Sequence, residues 1–140
     1  MRAPNLTLSF DGIPPSTNHA YRNGAFGRRV LSSVGAAYKR DITARVTQEV
    51  ALGPPMSKDR GWMVWITVTT SILSQGWPKK AKNRYKTLDA TNRIKLIEDA
   101  VKDGIGLDDS CTLRFIIEKK EGVDHTLVRF WDLSEGDPLE

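Results

Sequence analysis

The chain has 140 residues, which is long enough for one domain with a hydrophobic core. Its composition, 39% hydrophobic and 27% charged, is that of an ordinary globular protein rather than a disordered chain. Its net charge of +4 favours an anionic partner such as nucleic acid, and its one cysteine, Cys111, excludes an internal disulfide framework and a thiolate metal cluster. No apolar run approaches the ~20 residues that cross a bilayer, and the first residues lack a signal-peptide core. We therefore expect a cytoplasmic protein, in a bacterium or a phage-infected cell, with no membrane partner.

The first half of the chain predicts a strand, a loop and a helix. Leu6, Leu8 and Phe10 alternate with polar residues, which is typical of a half-buried strand. The segment from Pro14 to Arg29, PPSTNHAYRNGAFGRR, is predicted to be a loop because prolines, glycines and asparagines interrupt it. Ser32 and Ser33 are candidate helix caps. Apolar residues spaced by four then predict a long helix that stops at Gly53; they are Val34, Tyr38, Ile42, Val46 and Val50.

The second half predicts a strand over residues 61–73, a basic connector over 75–86 and a second helix over 90–103, with Gly104 beyond its end. Leu113, Phe115 and Ile117 alternate as a further strand. Residues 119–124 are then predicted to form a hairpin loop, with residues 126–131 as the partner strand. These elements predict an α+β (α/β-like) sandwich in which two helices pack on a mixed sheet of about four strands. We expect one domain over residues 1–132 and a mobile acidic tail over 133–140.

Positive charge is concentrated between Gly76 and Lys95. This segment holds seven lysines and arginines and a single acid, Asp89, and Trp77 and Tyr85 lie among them. Cations interleaved with aromatic residues suit a phosphate backbone with stackable bases nearby, although a solvated loop kept soluble by lysine has the same composition. The segment therefore leaves nucleic-acid contact and plain solubility both open.

Two groups of acids flank the second predicted helix, and each has a structural and a chemical interpretation. Asp89 is a favourable helix cap, but Thr91 or Asn92 would serve equally well there. Asp108 and Asp109 follow glycines, as turn residues do, and they are also hard oxygen ligands of the kind that Mg²⁺ prefers. Lys95 has Asp99 four residues later, so it fits either an exposed ion pair or a cation that stabilises charge on a phosphate.

Three segments together resemble the RusA-type family of Holliday junction resolvases, in order and across nearly the whole chain. PPSTNHAYR resembles the early Pro-Pro-Ser-x-Asn-x-x-Tyr-Arg segment of the family, and DATNRIKLIEDAV resembles its helix opening. GIGLDDS then resembles its acidic loop. The resemblance implies a Mg²⁺-dependent homodimer, with Mn²⁺ as an alternative ion, that cuts branched DNA such as four-way junctions and uses no organic cofactor. Family members are often carried by prophages.

The resemblance also implies roles for particular residues. It implies that Asp89, Lys95 and Asp109 are catalytic. It also implies that Asp89 and Asp109 bind the metal, with Asp108 and Thr91 as further candidate ligands. DNA contacts are expected from the early motif, the basic connector and the motif asparagine, that is from Asn18, Tyr21, Arg22, Lys82, Arg84, Lys86 and Asn92.

The chain departs from the family pattern at Thr91, where the best-known members carry a second aspartate. A hydroxyl can bind a water or ligate weakly, but it brings no charge. Asp99 or Asp108 is the alternative source of that charge. A non-catalytic junction-binding protein with a decayed metal site is a rival interpretation, and a scaffold protein whose acids only form caps and turns is another.

Overall fold

A four-stranded mixed sheet with two long helices on one face forms the body of the molecule. The computed structural model describes the backbone of residues 1–53, 55–88 and 90–140, and the side chains of these residues except 17 and 90–92. The strands and helices in chain order are β1 (Leu6–Asp11), α1 (Thr17–Ala20), β2 (Tyr21–Asn23), β3 (Arg29–Leu31), α2 (Ser33–Ala51), β4 (Trp62–Thr70), α3 (Ala90–Ile105), β5 (Thr112–Glu121) and β6 (His125–Asp132).

The sheet has the strand order β1-β6-β4-β5, and this confirms the predicted α+β class and the mixed sheet of four strands. β4 is parallel to β5 and antiparallel to β6, while β1 is antiparallel to β6. Alternate residues of β1, β4 and β6 face the two long helices and enclose the core. Among the described residues, no helix combines the length and the apolar character that crossing a bilayer requires.

Helix α2 begins as the sequence predicts. Ser32 is its N-cap, and the Ser32 hydroxyl accepts a hydrogen bond from the backbone N–H of Gly35 at 3.1 Å. In the predicted stripe, Ile42 and Val46 are fully buried, whereas Val34 in the first turn remains exposed. The buried part of the stripe packs α2 against α3 and the sheet.

Helix α3 is longer than its predicted span of 90–103, because Gly104 lies inside it. The residue that ends the helix is Gly106, whose φ of 85° is open to glycine and disfavoured for other residues. The N–H groups of Gly106 and Leu107 both donate to the Lys102 carbonyl, at 2.8 and 3.0 Å. Gly104 has a packing role, since a Cβ atom there would lie 2.7 Å from Cβ of Val46 on α2.

The predicted hairpin between β5 and β6 is wrong, because β4 lies between these two strands. The connection 122–124 crosses the end of β4, where the Asp124 carboxylate accepts hydrogen bonds from the Thr70 hydroxyl at 2.8 Å and the Ser71 N–H at 3.2 Å. The reason is the composition of β4, which is apolar and buried on both faces and therefore takes the central position.

The predicted loop from Pro14 to Arg29 is also wrong in part. It contains the single-turn helix α1 and strand β2, and its last residue begins β3, which pairs with β2 as a small hairpin in a separate two-stranded sheet. This third helix and this hairpin are additional to the predicted two helices and four strands.

The residues after β6 return to the sheet. Asp132 is buried and accepts a hydrogen bond from Nη1 of Arg60 at 2.6 Å. The Arg114 guanidinium donates to both carboxylate oxygens of Asp137, at 2.8 and 3.2 Å. The Arg114–Asp137 pair connects the segment 133–140 to β5, and the Ser134 N–H, which donates to the Asp132 carboxylate at 2.9 Å, connects it to β6.

Candidate metal centre and nucleic-acid surface

Three carboxylates meet where helix α3 faces the turn that precedes β5. Glu98 and Asp99 belong to α3, Asp109 begins the 3₁₀ turn Asp109–Cys111, and one oxygen from each lies within 4.8 Å of the others. Asp109 reaches the helix because the chain reverses at Gly106 and the next residue, Leu107, is buried in the core. Acids from two consecutive elements, α3 and the turn that follows it, are thereby brought to one point.

Two lysines of the same helix lie against these carboxylates. The Lys102 side chain is only 4% exposed, and its Nζ lies 2.8 Å from Oε1 of Glu98 and 3.1 Å from Oδ1 of Asp109. Lys95 is more exposed, with its Nζ 3.3 Å from Oδ1 of Asp99. Both lysines are four residues from their helical partners, a spacing that places side chains on one face of a helix.

The charges in this cluster reinforce one another. The hydrogen bond from Lys102 and the positive charge of Lys102 lower the pKa of the Asp109 carboxyl group. The negative charge of Asp99 raises the pKa of the Lys95 ammonium group. Asp109 therefore stays ionised and Lys95 stays protonated around neutral pH.

The donor set of this cluster fits Mg²⁺. The ion binds hard oxygen ligands, takes a small number of carboxylates and keeps several waters, and Asp99 and Asp109 are open enough for those waters. The cluster within the described residues contains no sulfur or imidazole ligand, which would favour zinc instead. Three carboxylates outnumber the two ammonium groups of Lys95 and Lys102, so one net negative charge remains for a cation.

The other predicted site acids differ in what the structure says of them. Asp108 caps its own turn, accepting hydrogen bonds from the Asp109 N–H at 2.7 Å and the Ser110 hydroxyl at 3.2 Å. Asp89 lies outside the described residues, as do the side chains of Thr91 and Asn92 at the start of α3. Of the two acids considered as a source of the charge that Thr91 lacks, Asp99 is a member of the carboxylate cluster.

The basic connector before α3 forms turns that expose its cations. Lys82 and Arg84 are exposed, and the Arg84 guanidinium carbon lies 5.2 Å from the ring centroids of both Trp77 and Tyr85. Lys86 is less free, because its Nζ donates to Gln75 and its carbonyl accepts from Lys119. The connector thus offers stacked aromatic and guanidinium groups at the surface.

The early motif lies on α1 and the β2–β3 hairpin. Asn18 is exposed on α1, Arg22 is exposed on β2, and the Tyr21 ring has the Arg29 guanidinium 5.5 Å from its centroid. Arg93 links this region to α3, because its Nη1 donates to the Pro14 carbonyl at 2.9 Å. The early motif and the acidic cluster are therefore attached to the same helix.

Sequence reasoning missed Glu98 and Lys102 as members of the cluster. Their signal is the acid-to-lysine spacing of four residues, next to the similar pair Lys95 and Asp99. The spacing alone is uninformative, because exposed helices carry such pairs without any function. Only the contact of Lys102 with Asp109, which returns to the same face of the helix, distinguishes Lys102 from the lysine of an ordinary exposed ion pair.

An acidic cluster held by lysines, on a scaffold with an exposed cationic and aromatic segment, is compatible with a protein that acts on nucleic-acid phosphates. The sequence model of the endodeoxyribonuclease RusA family matches residues 11–129, which include α1, the hairpin, both long helices and the turn that carries Asp109. The chain belongs to the RusA family of endodeoxyribonucleases, whose members act on branched DNA junctions. No curated protein sequence matches the chain.

Proposed function

We propose that this protein is a metal-dependent homodimeric endonuclease that resolves four-way DNA junctions by paired phosphodiester hydrolysis. One observation carries the proposal: three carboxylates lie within 4.8 Å of one another, with Lys95 and Lys102 against them, inside the span that matches the family. Turns and helix caps alone do not require carboxylates of a helix and of the following turn to converge.

Glu98, Asp99 and Asp109 would hold Mg²⁺, with Mn²⁺ as a substitute. Asp89 of the family motif stays a proposed catalytic residue, but it precedes α3, and Glu98 lies about 12 Å along the helix axis from Ala90, so Asp89 and Glu98 would not share one ion. A bound divalent ion supplies an activated water and polarises the scissile phosphate. The ionised state of Asp109, maintained by Lys102, keeps this set of ligands ready for a cation. Lys95 stays protonated, so its ammonium group can neutralise charge that develops on the phosphate oxygens.

The cationic residues outside the cluster would bind flanking phosphates and set the register of the DNA. Arg22 on the hairpin and Lys82 and Arg84 in the connector are exposed on elements that flank α1 and α3. Contacts of this kind position a duplex without reading its sequence. A two-fold homodimer would supply two sites, as paired cuts in a nearly two-fold junction require.

The proposal is tested by Asp109→Asn with a labelled synthetic four-way junction, with and without Mg²⁺. We expect cleavage to fall by about a thousandfold or more because a ligand charge is lost, while binding to the junction in EDTA changes by less than about threefold. Asp41→Asn is the matched control, since Asp41 is an exposed acid on α2, and it should cleave like the wild type.

Three results would contradict the proposal. Cleavage by Asp109→Asn at the wild-type rate would show that the acidic cluster takes no part in the cleavage reaction. Junction binding by the wild type without any Mg²⁺- or Mn²⁺-dependent cleavage would identify a non-catalytic junction-binding protein. Equal affinity for branched and linear duplex would exclude both a resolvase and a junction-binding protein.

A further inference from the structure

The β2–β3 hairpin projects from the body of the protein on a fixed base. At that base, the Ser32 N–H donates to the Ala20 carbonyl at 2.8 Å, and Gly35 is so close that a Cβ atom would clash with the same carbonyl. Tyr21 pairs with Leu31 at the first register position of the hairpin. The base therefore holds the tip in a defined direction relative to α2.

The tip of the hairpin is a tight turn with an aromatic residue in a disfavoured backbone conformation. The Arg28 N–H donates to the Ala25 carbonyl at 3.3 Å, and the two residues between them, Phe26 and Gly27, have φ angles of 60° and 72°. Positive φ at both central positions is the pattern of the type I′ hairpin turn, which prefers Asn-Gly. Phenylalanine at the first of these positions is uncommon, because its Cβ crowds the backbone there.

Packing does not explain Phe26. Its side chain is 100% exposed, so the ring gains nothing from the folded core while its apolar surface stays in water. A residue that neither suits its turn nor packs against the protein is best explained by what it contacts in a partner. Such a partner must accept a flat apolar ring.

The positive charge around the tip indicates an anionic partner. Arg22, Arg28 and Arg29 are exposed on the hairpin, and residues 21–31 contain no acid. A protein interface of standard size needs about 800 Å² from each partner, far more than one ring offers. An apolar side chain flanked by guanidinium groups fits a base stack flanked by phosphates, as in proteins that insert Phe or Leu between base steps.

We propose that Phe26 is a wedge that inserts into the base stack at the branch point of the DNA, with Arg22, Arg28 and Arg29 on the adjacent phosphates. The inference rests on the proposed function, because it assumes that branched DNA is the substrate. Insertion is directed to the branch point because bases there are incompletely stacked and separating them costs less than in a continuous duplex. Phe26 thereby contributes to the selection of branched over linear DNA.

The test uses a four-way junction with 2-aminopurine at the branch point, in EDTA, so that the readout does not require cleavage. Binding of the wild type should raise 2-aminopurine fluorescence, because the probe loses its stacked neighbour. Phe26→Ala should abolish this rise and weaken junction binding about tenfold, while affinity for linear duplex stays within about twofold. Phe26→Trp should retain the fluorescence rise, because it also presents an aromatic ring.

Leu52→Ala is the matched control, since Leu52 is another apolar side chain that is 91% exposed, at the C-terminal end of α2, and it should behave like the wild type. Phe26→Ala should unfold at the wild-type temperature, because the ring makes no contacts to lose. An unchanged fluorescence on wild-type binding, a rise that survives Phe26→Ala, or Phe26-dependent binding to anionic vesicles in place of DNA would overturn the inference. A wild-type protein that gives no junction band shift overturns the inference together with the proposed function, whereas a shift without a fluorescence rise overturns the inference alone.

Discussion

The ammonium group of Lys102 lies between Glu98 and Asp109 with almost no access to water. A buried lysine is costly unless carboxylates compensate its charge, and here two of them do so at 2.8 and 3.1 Å. In turn, Lys102 keeps two carboxylates close together that would otherwise repel each other. A divalent cation would reduce the repulsion between the carboxylates in the same way, so the ammonium group and a bound ion act on the same charges.

Replacement of Lys102 by methionine, which has a similar volume, should therefore destabilise the protein in a way that depends on Mg²⁺. Without divalent ions we expect the free energy of unfolding to fall by about 2 kcal/mol, less than for a fully buried pair because Asp109 is 63% exposed. Added Mg²⁺ should restore a larger part of the stability in the variant than it adds to the wild type. Urea unfolding followed by tryptophan fluorescence measures both quantities.

Lys39→Met is the control for that experiment. Lys39 binds Asp103 at 3.1 Å on the same pair of helices, but both side chains are substantially exposed, so its loss should cost less than about 1 kcal/mol. An equal response to Mg²⁺ in the Lys39 and Lys102 variants would show that Lys102 has no special relation to the acidic cluster.

At the scale of the elements, helices α2 and α3 cross closely because glycine occupies position 104. A Cβ atom there would lie 2.7 Å from Cβ of Val46 and 3.0 Å from the Thr43 carbonyl oxygen. Thr43 also donates its hydroxyl proton to the Ala100 carbonyl at 3.0 Å, which fixes the same crossing. The position of α3, and with it Glu98, Asp99 and Lys102, thus depends on contacts with α2.

Gly104→Ala should accordingly destabilise the protein by about 2 kcal/mol, although alanine favours a helix by about 1 kcal/mol over glycine at an open position. Overpacking against the Val46 side chain and the Thr43 carbonyl outweighs the gain in helix propensity, and the shift of α3 should also lower junction cleavage. Gly53→Ala is the control, because a Cβ atom at residue 53 meets nothing within 4 Å, and it should change stability by less than about 0.5 kcal/mol. A Gly104→Ala variant that is more stable than the wild type would contradict the close crossing.

The elements also show how far the sequence predicts the structure. Periodicity and capping residues were sufficient for β1, α2 and the extent of the sheet, because local patterns determine them. The neighbours of β5 were not predictable in this way, since alternation indicates a strand without indicating its partner. The β2–β3 hairpin was missed because Phe-Gly replaces the usual Asn-Gly at its turn.

The candidate site was predictable only in part, for a related reason. The motifs indicate Lys95 and Asp109; Asp109 belongs to the carboxylate cluster and Lys95 lies against it, while their catalytic roles stay predictions. Glu98 and Lys102 were missed because their roles depend on the chain reversal at Gly106, which returns Asp109 to the helix. The helix end at Gly106 is local, but the direction in which the chain continues depends on the burial of Leu107, which no local pattern encodes.

At the scale of the whole molecule, the clustered acids and the cations of the connector are suited to different ligands. The three clustered carboxylates leave room for a cation, while exposed lysines and arginines in the connector leave room for phosphates. A polyanion held by the connector would otherwise be repelled by the carboxylates, and a bound divalent ion removes that repulsion. Junction affinity should therefore depend on monovalent salt through the connector and on divalent ions through the cluster.

The salt dependence of junction binding tests the connector directly. Each phosphate contact contributes about 0.9 to the negative slope of log affinity against log salt concentration on duplex arms. Lys82→Ala should lower affinity on branched and linear DNA alike and reduce that slope by about one unit, because Lys82 is exposed and would contact a phosphate rather than a base. Lys58→Ala removes another exposed lysine, from the segment before β4, and should leave the slope unchanged. Equal slopes for the wild type and Lys82→Ala, measured by fluorescence anisotropy in EDTA, would mean that the connector is a solvated loop that does not touch DNA.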